Sequence, residues 1–184
     1  MKQLLIVFAL VSFGIASAQN TATFFKEAND VFSTYVIGDK VNYSAIAEDP
    51  KELNEAIDAA KSVSVSTSNP KTYQAFWINA YNLLTIKGIV ENYPVNSPMD
   101  ISGFFDTITY NVGGKSVTLN QIENDLLRAK FPNEPRFHFV LVCAAQSCPP
   151  IVNYAYSPNY LDGQLEEQTT KALNNPSFLK VSGN

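Results

Sequence analysis

The chain has a single histidine, His138, and only two cysteines, Cys143 and Cys148. Any nucleophile, thiol ligand or disulfide therefore has to be built from residues that fall within one short stretch. Basic runs are also lacking: 13 Lys+Arg against 17 Asp+Glu leave a net charge of −4. A nucleic-acid surface needs clustered cations to displace counterions, so none is expected. There is no internal repeat, and beyond the N-terminal segment no apolar run is long enough to cross a bilayer.

What is present begins with that N-terminal segment. Lys2 precedes an apolar core from Leu4 to Ile15, and Ala16-Ser17-Ala18 reads as an A-x-A cleavage site. Residues 1–18 are thus expected to be a signal peptide, with the mature protein starting at Gln19. The expected location is exported, periplasmic or secreted. Residues 19–184 are long enough for one domain with a real core. Hydrophobic residues at 46% and aromatics at 12% point to a folded chain.

Apolar spacing predicts helices over residues 23–35 and 50–61, followed by a Ser/Thr-rich loop. Asn69-Pro70 is a cap followed by a first-turn proline, and it opens the longest helix, to about Glu91. That helix carries apolar stripes on opposite sides, which marks it as buried. Residues 107–117 read as a β-hairpin turning at Gly113-Gly114. Thr118 and Gln121 form a capping box that starts a helix to Lys130. An apolar core strand is expected at 136–143, a last helix from Ser157-Pro158 to about Leu173, and a final strand at 178–181. That final strand has no partner, which predicts a domain truncated at its C-terminus.

Phe76-Trp77-Ile78-Asn79-Ala80-Tyr81-Asn82, Ile122-Glu123, Arg136-Phe137-His138, and Cys143-Ala144-Ala145 with Ser147-Cys148-Pro149-Pro150 occur in this order. Together they resemble the domain-of-unknown-function family numbered 547, from about Val41 onward. The resemblance implies an exported bacterial member of a family with no established activity. Two departures stand out: Asn124 follows Glu123 where the family often has histidine, and family members commonly run on past this chain's end.

The residues leave several chemistries open. A thiol hydrolase needs a thiolate beside a histidine. On an unbroken strand His138 and Cys143 would lie roughly 16 Å apart on opposite faces. A turn across Ala145 to Ser147 would return Cys148 beside Cys143 rather than His138, so a Cys148–His138 dyad needs a tertiary approach, with Asn79 or Asn82 orienting the imidazole. Export favours instead a Cys143–Cys148 disulfide, structural or redox-active, although C-x4-C is not the C-x-x-C of thioredoxin-like proteins. Zinc would accept His138, Cys143 and Cys148, but a fourth ligand is not evident, so no metal and no cofactor is expected. In a purely structural reading the cysteines are small buried hydrophobes, His138 is a core imidazole, and Asn79 and Asn82 tie a neighbouring loop. Arg136 is expected to pair with Glu123, because Glu123 and Arg128, five apart on one helix, do not face each other well.

The expected fold is α+β: a helix-rich single domain whose central buried helix packs on a small, mostly antiparallel sheet. Two functions compete. One is a thiol-dependent enzyme acting on an extracytoplasmic peptide-like or acyl substrate, with His138, Cys148, Cys143 and Asn79 catalytic and Asn82, Arg136, Glu123 and Ser147 binding substrate. The other is a non-catalytic binding domain whose cysteines are buried or bridged. The partner in either case is a small-molecule or peptide-like ligand.

Overall fold

The computed structural model describes residues 2–145, 148–176 and 178, with side chains from Gln19 onward. Helix α1 (Lys2–Tyr35) buries Phe24, Ala28, Val31 and Phe32, the stripe expected from their spacing. A two-residue hairpin, β1 (Val36–Ile37) and β2 (Lys40–Val41), turns the chain into α2 (Tyr43–Glu48) and α3 (Lys51–Lys61). Leu53, Ala56, Ile57 and Ala60 of α3 face the core. Among the described residues no helix is long and apolar enough to cross a membrane.

Helix α4 (Pro70–Val90) is the centre of the molecule. Asn69 caps it by accepting a hydrogen bond from the Thr72 amide, and Pro70 takes the first turn, as the sequence predicts. Every residue from Ala75 to Ile86 is buried, so neighbours surround the helix on all sides. Strands β3 (Tyr110–Val112) and β4 (Lys115–Val117) pair antiparallel with Val112 opposite Lys115. The Gly113 and Gly114 amides at their turn donate to the Ala60 and Lys61 carbonyls at 2.9 and 3.1 Å. The hairpin thereby caps the C-terminus of α3, satisfying carbonyls that a helix end leaves open.

The capping box forms at Thr118 and Gln121 and starts α5 (Leu119–Gln121), but the helix does not continue as α. Residues Ile122–Arg128 form a π-helix, and the Ala129 amide donates five residues back to the Asn124 carbonyl. This wider repeat sets which side chains are buried, and it corrects one expectation. Ile122 and Leu127 are the buried pair while Leu126 is only half-buried. Glu123 and Arg128, again five apart, do meet: the Arg128 Nε donates to Glu123 Oε1 at 3.1 Å.

The expected strand at 136–143 does not form. Pro135 takes the first turn of a 3-10 helix (Pro135–Phe139), with the Glu134 side chain capping it through the Arg136 amide. An irregular segment follows, until α6 (Leu161–Leu173) closes the fold. Burial along 137–142 therefore does not alternate: Phe137 and Val140 to Val142 are buried, whereas His138 is exposed. A short apolar run carries no period of its own that would separate a strand from buried irregular chain. The expected strand at 178–181 lies, beyond Phe178, outside the described residues. The architecture is a helix-rich α+β domain with two small antiparallel sheets.

Burial also sets the alkaline limit of this fold. It pushes the phenols of Tyr43 and Tyr110 up to about 12, and those of Tyr81 and Tyr156 upward as well. Unfolded tyrosine ionises near pH 10, so stability is fully present below that pH and is lost as the pH rises toward the folded values. Each such phenol removes up to about 1.4 kcal/mol per pH unit. Between pH 10 and 12 tyrosinate absorbance should therefore rise together with loss of the far-UV circular dichroism. Titration of all nine tyrosines in a still-folded protein would contradict the burial.

Candidate functional site

The irregular segment from Val140 to Ser157 presents a physical problem. Val140, Leu141, Val142, Ile151, Val152, Ala155 and Tyr156 are all buried, yet among the described residues this stretch has no ladder or helix to pair its peptide groups. A buried peptide group without a partner is costly, so each must bond elsewhere. The Val140 and Leu141 amides turn back to the Phe137 carbonyl, and side-chain amides from three helices supply further partners.

Two of them come from the motif on α4. The Asn82 Nδ2 donates to the Val140 carbonyl at 3.0 Å, and its Oδ1 accepts from the Val142 amide at 3.1 Å. The Asn79 Nδ2 donates to the Tyr156 carbonyl at 2.8 Å, and its Oδ1 accepts from the Tyr156 amide at 2.9 Å. Each asparagine thus imitates a neighbouring strand, offering one donor and one acceptor to the segment's backbone. The pair holds the segment at both ends, which explains two amides on an otherwise apolar helix.

Three further amides were not singled out from sequence. Gln168 Nε2 donates to the Pro150 carbonyl, Gln164 bridges the Ala155 carbonyl and Ser157 amide, and the exposed Asn29 accepts from the Ala155 amide at 3.2 Å. Gln168 had a legible signal. It sits at helical spacing with Leu161, Leu165 and Ala172, so a polar residue occupies the buried stripe of α6.

Cys143 and Cys148 lie between the two asparagine clamps and are joined in a disulfide with Cα atoms 5.9 Å apart. This is the tight-turn bridge that the spacing allowed. The Cys148 amide donates to the Ala145 carbonyl at 3.0 Å, closing the turn inside the ring. Both half-cystines are half-buried and Ala145 is exposed. A ring of so few residues restrains the unfolded chain by only about 2 kcal/mol. Ser147 lies outside the described residues.

The remaining candidates are placed elsewhere on this surface. His138 is exposed on the 3-10 turn, its ring edge-on to Phe139, which corrects the expected core imidazole. Arg136 does not pair with Glu123. Its guanidinium grips Glu134 at 2.7 and 2.5 Å and reaches Asp162 and Glu166 on α6 at 3.7 and 3.8 Å. The Glu134 hydrogen bond is the main cause raising the Arg136 pKa, and the charges of Glu134, Asp162 and Glu166 add to it. Glu123 holds Arg128 and accepts from the buried Tyr81 hydroxyl at 3.4 Å. Burial first, then the Glu123 charge, raises the Tyr81 phenol pKa. Among the described residues no group of three or more His, Cys, Asp or Glu side chains is placed to hold a metal ion.

Alongside the Arg136 cluster, the start of α6 borders an open depression of about 430 Å³. Lys71, Asp162 and Glu167 supply both signs of charge there, and Tyr160 supplies an exposed ring. Lys71 and Asp162 pair across it at 2.5 Å, which lowers the Asp162 carboxyl pKa.

The model of one protein family, described as Protein of unknown function, DUF547, matches residues 65–172. The match runs from the loop before α4 to the end of α6, so it spans the asparagine motif, the π-helix, the disulfide and Gln168. No curated protein and no solved structure matches the chain.

Proposed function

The chain belongs to the DUF547 family, and from that premise we propose that it is an exported, non-catalytic binding domain rather than an enzyme with a resting thiol nucleophile. The observation that carries this reading is the occupancy of the motif residues. Cys143 and Cys148 are bonded to each other, and both polar ends of Asn79 and Asn82 are engaged by backbone. A thiol hydrolase needs a free thiolate, and a bridged sulfur is not one. The ligand class is small and peptide-like. The depression at the start of α6 supports it, with charges of both signs and the exposed Tyr160 ring in a volume suited to a small ligand. The N-terminal segment with its Ala16-Ser17-Ala18 site supports export, as does a bridge that persists in oxidising compartments.

One mass measurement tests most of this reading. Protein purified without reductant is alkylated in denaturant, with and without prior reduction. The expected result is an intact mass beginning at Gln19, no label before reduction, and two labels after it. Two labels without reduction would return the thiol enzyme to first place. Titration with short zwitterionic peptides should move the backbone resonances of residues 159–167, and Tyr160→Ala should weaken that binding about tenfold. An unmoved 159–167 region would remove the ligand assignment.

A further inference from the structure

The bridge lies where it can be opened without opening the fold. Its two ends are fastened by groups outside the ring: Asn82 holds Val140 and Val142 on one side, while Gln168 holds Pro150 and Asn79 holds Tyr156 on the other. The sulfurs therefore stay near one another whether or not they are bonded. The closed ring also contains Ala144 at a φ of 54°, the only non-glycine residue with positive φ among the described residues. An alanine in this left-handed region carries a steric cost, which an opened turn can release. Neither cysteine is fully buried and Ala145 is exposed, which leaves an attacking thiolate access. Strained or exposed bridges are the labile ones, whereas buried relaxed bridges resist reduction.

From these observations we infer that Cys143–Cys148 is a reversible dithiol–disulfide couple that exchanges with an external dithiol, and not a permanent staple. A thiolate of the external dithiol attacks one cysteine sulfur, and the protein S–S bond breaks. Its electron pair leaves on the other cysteine, which takes up a proton. The second external thiol loses its proton and attacks the mixed disulfide, releasing the first cysteine as a thiol. Two electrons and two protons pass to the protein, and the external dithiol leaves as a disulfide. The inference does not depend on what the domain binds.

The test uses the whole mature chain in glutathione mixtures of graded ratio, without denaturant, with thiols trapped by alkylation and counted by mass. The couple should pass reversibly between no label and two labels, with the far-UV spectrum unchanged throughout. A bond that excess reduced glutathione opens only in denaturant would overturn the inference, as would loss of the spectrum on reduction. Ala144→Gly supplies the second arm, because glycine adopts positive φ without the alanine's steric cost. It should favour the disulfide, moving the equilibrium by roughly five- to thirtyfold, the range implied by that cost. An unchanged or reversed equilibrium would show that Ala144 does not load the ring.

Discussion

Replacing Asn79 with alanine is expected to remove about 4 kcal/mol of stability, a large part of the 5–15 kcal/mol typical of a domain. The side chain is fully buried, and it satisfies both the amide and the carbonyl of Tyr156, which is itself buried. Truncation leaves a buried donor and a buried acceptor with no partner, each costing about 1–3 kcal/mol. The denaturant midpoint would report the loss. Asn79→Leu separates the causes, since it fills the space but restores neither hydrogen bond. Similar losses in the two variants would assign the effect to the hydrogen bonds, whereas a leucine variant near wild type would assign it to packing.

Gly113→Ala should cost about 2–5 kcal/mol, from two sources that a neighbouring glycine separates. Gly113 has a φ of +61°, and a Cβ there would stand 2.8 Å from the Trp77 Cη2 and 3.1 Å from the Phe76 Cε1. Both rings belong to the buried core of α4 and have little room to retreat. The left-handed backbone contributes about 1–2 kcal/mol and the overpacking about 1–3. Gly114 has a φ of +68° with nothing within 4 Å of its Cβ position, so Gly114→Ala should carry the backbone cost alone. Equal thermal shifts for the two variants would show that the hairpin does not rest on Trp77 and Phe76.

Features that depend on neighbouring residues were legible in the sequence. Asn69-Pro70, the Thr118–Gln121 box and the Gly113-Gly114 turn each act within a few positions, and each forms as expected. The apolar stripes on opposite sides of the helix opened by Asn69-Pro70 likewise identified the central helix. Features set by distant partners were not legible. Residues 137–142 look like a strand because they are apolar, but β-structure also needs a neighbouring strand, and here α4 offers asparagine side chains instead. The π-helix was not legible because an α-helical repeat sets Glu123 and Arg128 apart, and only the wider turn brings them together. The cysteine pair was readable as a tight bridge. What the spacing could not show was the support on either side of it, contributed by side chains far away in sequence on α4 and α6.

Side-chain amides take the place of a sheet ladder around the bridged turn. Native-state hydrogen exchange at the Val142 and Tyr156 amides tests it most directly. Both amides are buried, and each donates to an asparagine Oδ1. They should exchange only through openings close in free energy to global unfolding, as slowly as the amides in the middle of α4. Asn82→Ala should then speed exchange at Val142 far more than within α4. Rapid exchange of both amides in the unaltered protein would mean that the segment is not clamped, and the account of this site would fail.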